Sequence, residues 1–488
     1  MPDLRFVIVG AGMAGVLSAI KLREAGFADV TIYEKADRLG GTWRENTYPG
    51  IACDVPAHLY TYTFAPNPEW SHAFAPGPEI LTYFESVANR YGVDSLIRYG
   101  NEVRRLEHDG NRWRIETSTG EHDQADVVIA ATGVLHHPRY PDIEGLDDFA
   151  GRVFHSARWD HSVPLAGARL GVIGTGSSAV QITGSVTDVV DELHLFQRTP
   201  QWILPVDNPP TEAADRERYR ANPGALIELR ADLNTNFIQG FANAVVDAES
   251  AALKTLQKVA RANLEENVAD PGLREKLRPD YRAGCKRLII SPNFYEAIQR
   301  PNARLVTERI ARVEADGVRT VDGRLHRLDV LVLATGFRVD RFLRPMEVVG
   351  RGGVRLDDLW GQRPFAYLSV SVPDFPNLFM LNGPNGPVGN FSLIDVAEAQ
   401  FGYLMQLIRL LAAGQCCQIS ASREATTRFE ADRVEAAKKT VWVTGCHSWY
   451  LDDRGVPVAW PWSFTRFCEV MTRPDLTDYE LITAGQAS

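Results

Sequence analysis

Two glycine-rich turns stand in this chain, Gly10-Ala11-Gly12-Met13-Ala14-Gly15 and Gly174-Thr175-Gly176-Ser177-Ser178-Ala179. In such a turn the first glycine permits a tight bend and the second lets backbone approach a diphosphate. The third lets helix pack against strand. A glycine turn alone is weak evidence. Here each follows an apolar strand pattern, Phe6 to Val9 and Leu170 to Ile173, and the first precedes a helix pattern and a second strand at Val30 to Glu34. The amides of the following helix then point at phosphates. The two turns align without a gap at an offset of 164 residues, Gly10 onto Gly174 and Gly15 onto Ala179. The same offset carries Glu34 onto Arg198. An acid suits free ribose hydroxyls, whereas Arg accommodates a 2′-phosphate. Taken alone, Arg198 would read as a solvated surface residue. The repeat instead predicts FAD at the first turn and NADPH at the second.

The elements that must hold these turns read as α/β. Asp126 to Gly133 is a buried strand ending in a small-residue turn, and the pattern recurs at Asp329 to Gly336. Residues 40–54 are dense in glycine, proline and aromatics, which predicts an ordered loop and not a helix. Thr211 to Arg282 breaks the strand pattern and is rich in Ala, Leu, Glu and Arg. We read several helices there, with their charges on solvated faces. The fold class is therefore α/β with two dinucleotide-binding, Rossmann-like domains. The divisions are 1–138 for the FAD-binding domain, 139–338 for the NADP-binding domain with its helical insertion at about 205–282, and 339–488 for a return to the FAD-binding domain.

Size and composition agree. The chain has 488 residues, 45% hydrophobic and 23% charged, enough for about three domains of ~150 residues. The net charge of -10 argues against a nucleic-acid partner. The six cysteines, Cys53, Cys285, Cys416, Cys417, Cys446 and Cys468, show neither a C-x-x-C pair nor a zinc spacing. Reduced thiols in the cytoplasm are expected, with adjacent Cys416 and Cys417 on opposite faces. No metal cluster is expected. The chain runs almost at once into the strand at Phe6, so no signal peptide is read. No apolar run reaches the ~18 residues of a membrane helix; Phe401 to Ala413 carries Gln406 and Arg409 and reads as an amphipathic or buried helix.

Between the turns lies Phe149-x-Gly151-x-x-x-His155-x-x-x-Trp159-Asp160. By itself it would pass for a loop with a packed Trp and a solvated His. All its set positions, however, match a fingerprint of the Baeyer–Villiger flavin monooxygenases, which this chain resembles over nearly its whole length. A second run, Gly40-Gly41-Thr42-Trp43 through Tyr48-Pro49-Gly50 to Asp54, resembles the family's flavin-wrapping loop. The resemblance implies FAD contacts at Gly41, Thr42, Trp43 and Asp54. Tyr60 is a weaker addition, and Lys35 and Val103 are assigned beside them. It implies that Phe196 to Pro200, with Arg198 and Thr199, meets the 2′-phosphate. Lys286 would meet the NADP phosphate, and Arg287 would reach the flavin. Arg287 and Asp54 form the catalytic set. His155 is implied to be a structural linker. The turns at Gly133 and Gly336 would mark crossings between domains. Asn382 to Pro387 is either a structural turn or an approach to the flavin ring. Departures are small: Ala179 replaces the third glycine, and Asp160 is the less common last residue.

The implied reaction takes hydride from NADPH to FAD, activates O2, and inserts one oxygen atom beside a ketone carbonyl to give an ester or lactone. A flavin monooxygenase acting on sulfur or nitrogen is the alternative. Trp159-Asp160 favours the ketone enzyme, because the other relatives usually end that fingerprint in Tyr or Phe. A flavin-binding module without oxygenation would not need Arg287 or Asp54. The expected partners are a small-molecule ketone and O2, with no nucleic acid and no membrane. The sequence leaves oligomeric state and substrate identity open.

Overall fold

A computed structural model describes residues 4–483 and 485. Strand Phe6–Val9 lies at the centre of a five-stranded sheet, in the order Leu378–Met380, Val127–Ala130, Phe6–Val9, Val30–Tyr33, Ile97–Arg98. Every pairing in it is parallel. Phe6–Val9, Val30–Tyr33 and Val127–Ala130 are apolar or nearly so and buried at every position. That is what a parallel sheet covered on both faces requires. A second five-stranded parallel sheet has the order Ala303–Val306, Glu192–Phe196, Arg169–Ile173, Val330–Leu333, Arg152–His155. Phe6–Val9 and Arg169–Ile173 are the central strands, so the two glycine turns leave equivalent places.

The chain re-enters the first sheet late. Leu378–Met380 pairs with Val127–Ala130; Glu347–Val349 joins the strand Val103–His108 in a separate four-stranded sheet. The stretch after Leu204 is helical, as its composition predicts. It carries Ala213–Ala221, Pro223–Phe237, Ala251–Asn267 and Pro271–Leu277. Three of these starts are capped by side chains. Asn222 accepts from Gly224 and Ala225 amides, Ser250 from Leu253, and Asp270 from Leu273. The expected late helix is Leu393–Ala412, capped by Ser392 and buried along one broad stripe. Among the described residues no helix is long and apolar enough to cross a membrane.

Two expectations fail. Residues Thr42–Glu45 form one helical turn where only loop is read from composition. Gly41, at φ +52°, turns the chain into it, and the Asn46 amide closes it on the Thr42 carbonyl. The cysteines are not all reduced thiols: Cys285 and Cys446 form a disulfide, with Cα atoms 6.1 Å apart. They are 161 residues apart in sequence, and no local spacing rule sees such a pair. Cys53, Cys416, Cys417 and Cys468 are free, and no bridge joins Cys416 to Cys417.

Candidate active site

Both turns are shaped for close backbone approach. Gly10 has φ +102°, and a Cβ there would stand 2.6 Å from the Ala131 carbonyl oxygen. Gly174 has φ +123°, and a Cβ would stand 2.3 Å from the Ala334 carbonyl oxygen. Helices Met13–Glu24 and Ser177–Val186 begin directly behind them, with Gly12 and Gly176 as their caps. Neither cap is filled by a side chain, so the first amides are free for an anion.

At the first turn Glu34 is buried. Its Oε2 accepts from the Ala11 amide at 2.8 Å; its Oε1 accepts from the Ala36 amide at 2.9 Å and Arg44 Nη1 at 3.0 Å. The carboxylate is thereby held at the mouth of the turn, and Oε2 keeps room for a ribose hydroxyl. Lys35 beside it is exposed. Gly41 faces Gly12 across the turn, 3.1 Å from its Cα if given a Cβ. Thr42 is exposed at the start of the short helix. Trp43 Nε1 donates to the Tyr60 hydroxyl at 3.2 Å, with the rings edge-on at 5.5 Å. Met13 opens its helix, and its carbonyl accepts from the Tyr62 hydroxyl. Val103 is buried with Val7, Val9 and Tyr33 in the core beneath the sheet. A contact from Val103 to a cofactor would have to come from its backbone.

At the second turn the Thr175 hydroxyl donates to the Thr199 carbonyl at 2.7 Å. Ser177 is the first helical residue, and the Ser178 hydroxyl donates to the Tyr48 hydroxyl at 3.1 Å. Arg198 is exposed, and neither it nor Lys286 has a carboxylate partner among the described residues. Burial pushes the Lys286 ammonium down from its ordinary pKa, and the nearby Arg198 pushes it further. Asp280 draws it back up in part, and the Lys286 ammonium lies over the Tyr281 ring, 4.8 Å from its centroid.

Between the two turns lies Arg287. Its Nε and Nη2 both donate to Asp54 Oδ2, at 2.8 and 2.6 Å, and its Nη1 donates to the Gly389 carbonyl at 3.0 Å. The phenol of Tyr450 rests against the guanidinium and fills the place a Cβ of Gly389 would take. Burial disfavours the Arg287 charge, but Asp54 and Tyr450 more than offset it and hold its pKa well above the ordinary value. The Arg287 side chain is still 29% exposed and Asp54 and Gly389 take three of its five N–H groups, so donors remain for a reacting group.

The linker stretch does not reach this chemistry directly. His155 is fully buried; Nδ1 accepts from the Ala157 amide at 3.1 Å, and Nε2 donates to the Gly336 carbonyl at 3.0 Å. Burial lowers its pKa to about 4, so it is neutral at ordinary pH. Trp159 packs edge-on against Phe154 at 5.0 Å. Arg158 forms an ion pair with Glu45, and His161 meets the Thr47 hydroxyl at 2.8 Å. The stretch therefore ties the second sheet to the flavin-loop segment.

Two features escape a reading by sequence. The Tyr48 hydroxyl donates to Gln181 Oε1 at 2.8 Å, and Gln181 Nε2 donates to the Ala52 carbonyl at 3.0 Å. This clasp joins the loop at the first turn to the helix at the second. Only Tyr48's place in the fingerprint hinted at it. Tyr450 lies in an aromatic-rich tail whose role composition leaves undecided. The turn Asn382 to Pro387 is tied to that tail, for the Trp460 amide donates to the Gly386 carbonyl at 3.0 Å.

The profile of the family described as pyridine nucleotide-disulphide oxidoreductase matches residues 7–212. A Baeyer–Villiger monooxygenase of Streptomyces coelicolor is 40% identical over 492 residues, covering 99% of this chain and 94% of that one. An uncharacterized monooxygenase of Mycobacterium tuberculosis is 46% identical over 476 residues, 97% of this chain and 95% of its own. Among solved structures, cyclohexanone monooxygenase from Rhodococcus sp. Phi1 bound to NADP+ superposes with a TM-score of 0.87 at 30% identity, over 99% of both chains. An oxidized steroid monooxygenase bound to NADP gives 0.88 at 29% identity, over 99% of this chain and 100% of that one. With two dinucleotide turns, two cations beside the second and an arginine held between them, the chain belongs to the Baeyer–Villiger monooxygenases, enzymes that depend on FAD and NADPH.

Proposed function

We propose that this protein inserts one oxygen atom of O2 beside the carbonyl of a small-molecule ketone, giving an ester or lactone, with NADPH as its preferred nicotinamide. The observation that carries this reading is Arg287, a permanently charged fork clamped by Asp54 and still partly open. Bound FAD, reduced by NADPH, would supply the activation of O2. The chain's own residues bind and orient. The first turn and Glu34 hold the FAD diphosphate and ribose, and Arg198 with Lys286 holds the 2′-phosphate. Arg287 stabilises negative charge on the reacting oxygens as it develops, a task that suits a preorganised cation in a partly dry site. Asp54 fixes the plane of that fork, and the Gly389 carbonyl and Tyr450 complete its seat. Trp43 and Tyr60 wall the same side and help keep water out.

The test is direct. The purified protein, loaded with FAD, is given NADPH, O2 and a panel of ketones and sulfides, and the products are identified by mass. Esters or lactones support the reading. Sulfoxides with no ester from any ketone would move the protein to heteroatom oxygenation.

A further inference from the structure

The Cys285–Cys446 disulfide lies beside the site just described. Cys285 immediately precedes Lys286 and Arg287, and Cys446 lies four residues before Tyr450. The bond thus fastens the segment carrying the cation to the tail segment that seats it. Cys285, Trp442, Cys446 and Tyr450 share one small buried cluster with Val245 and Leu253 of the helical insertion. Tyr450 stacks on Trp442, centroids 5.1 Å apart, and the Val441 amide donates to the Val245 carbonyl at 3.1 Å. Trp449 stacks on Tyr450 at 4.0 Å and the Val458 amide donates to the Tyr450 carbonyl at 2.8 Å, while Gly445 and His447 are exposed on either side of Cys446. The disulfide is the covalent tie between this segment and the residue that precedes Lys286 and Arg287.

We propose that Cys285 and Cys446 are a reversible thiol–disulfide site that sets how firmly Tyr450 seats Arg287, its co-reactant being a dithiol reductant. The inference rests on the reading of Arg287 as the site's cation. Exposure gives the exchange a direction. Cys446 is 7% exposed between two exposed residues, whereas Cys285 is fully buried. An incoming thiolate attacks Cys446 Sγ and the S–S bond breaks. Cys285 leaves as a thiolate and takes up a proton. The second thiol of the reductant then attacks the mixed disulfide and frees Cys446. The protein disulfide gains two electrons and two protons, and the dithiol becomes a disulfide. With the bond open, residues 441–450 are held by packing and a few backbone hydrogen bonds, and the phenol is freer to leave the guanidinium.

The experiment uses the FAD-loaded protein before and after a small dithiol such as dithiothreitol. Alkylation under denaturing conditions, read by mass, should count four thiols before and six after. Hydrogen–deuterium exchange across 441–450 should quicken on reduction. NADPH oxidation that releases hydrogen peroxide should rise about tenfold, the scale of one lost hydrogen bond to a charged group. The double variant Cys285→Ser, Cys446→Ser should match the reduced protein and ignore the dithiol. If it fails to fold, the reduced native chain carries the test. Six thiols before reduction, even after treatment with peroxide, would overturn the proposal. So would four thiols with exchange and peroxide release unchanged on reduction, which would make the bond a static staple. Thiol count and exchange do not depend on any ketone, so this proposal can fail while the oxygenation reading stands, and the reverse.

Discussion

Arg287 places two N–H groups on a single oxygen of Asp54, Nε at 2.8 Å and Nη2 at 2.6 Å, across 233 residues of chain. The carboxylate thus fixes the fork's plane, and the Gly389 carbonyl holds Nη1 on the side away from it. Only arginine has this geometry; a lysine ammonium would offer charge without a plane.

Arg287→Ala should therefore bind FAD and accept hydride from NADPH but form no oxygenated product. Removing one such preorganised donor costs about 3 kcal/mol or more of transition-state stabilisation, roughly a hundredfold or greater loss in turnover. Arg287→Lys should recover little of it. Stopped-flow absorbance separates flavin reduction from product formation. Normal product yield from Arg287→Ala would remove the residue from the chemistry.

Arg198→Ala should raise the KM for NADPH and leave that for NADH almost unchanged. A charge-assisted contact to phosphate is worth about 1.5–3 kcal/mol, so a shift of roughly ten- to a hundredfold is expected. Lys286→Ala should act in the same direction. Steady-state kinetics with both nicotinamides decide this. Equal efficiency of NADPH and NADH in the native protein would contradict the assignment.

Gly50 tests the clasp between the two turns. A Cβ there would stand 2.0 Å from Ser185 Oγ and 2.7 Å from the Gln181 carbonyl, at φ +81°. Gly50→Ala should cost about 1–3 kcal/mol of stability from overpacking. Gly92→Ala is the control: φ is +68° but nothing lies within 4 Å, so only backbone strain of about 1 kcal/mol is expected. Thermal melts of the two variants should differ clearly. Equal Tm values would mean the interface yields freely.

His155 should weaken the fold in acid. Its folded pKa, about 4, lies below the ordinary 6.5. Between those values the unfolded chain binds a proton that the folded chain refuses. The stability tied to neutral His155 is full above pH 6.5 and falls as pH drops toward 4, by at most about 3 kcal/mol. Melting near neutral pH and near pH ~5, for the native chain and His155→Gln, measures it. The glutamine variant should lose less on acidification. An identical loss in both proteins would show that His155 contributes nothing to the slope.

Local chemistry made much of this molecule readable in one dimension. A positive φ at Gly10 and Gly174 needs only the glycine itself, so both dinucleotide turns are legible from type and spacing. The buried parallel strands betray themselves as short apolar runs, and the repeat offset sets Glu34 against Arg198. What tertiary structure decided is what depends on distance through space. The bond from Arg287 to Asp54, the phenol of Tyr450 over Gly389, the Tyr48–Gln181 clasp and the Cys285–Cys446 disulfide each join segments more than a hundred residues apart, except that Gly389 and Tyr450 are nearer. No period or spacing records such pairs, because chain closure over that length costs nearly the same for any partner. The packing of the two sheets, not the order of residues, chooses which of them meet.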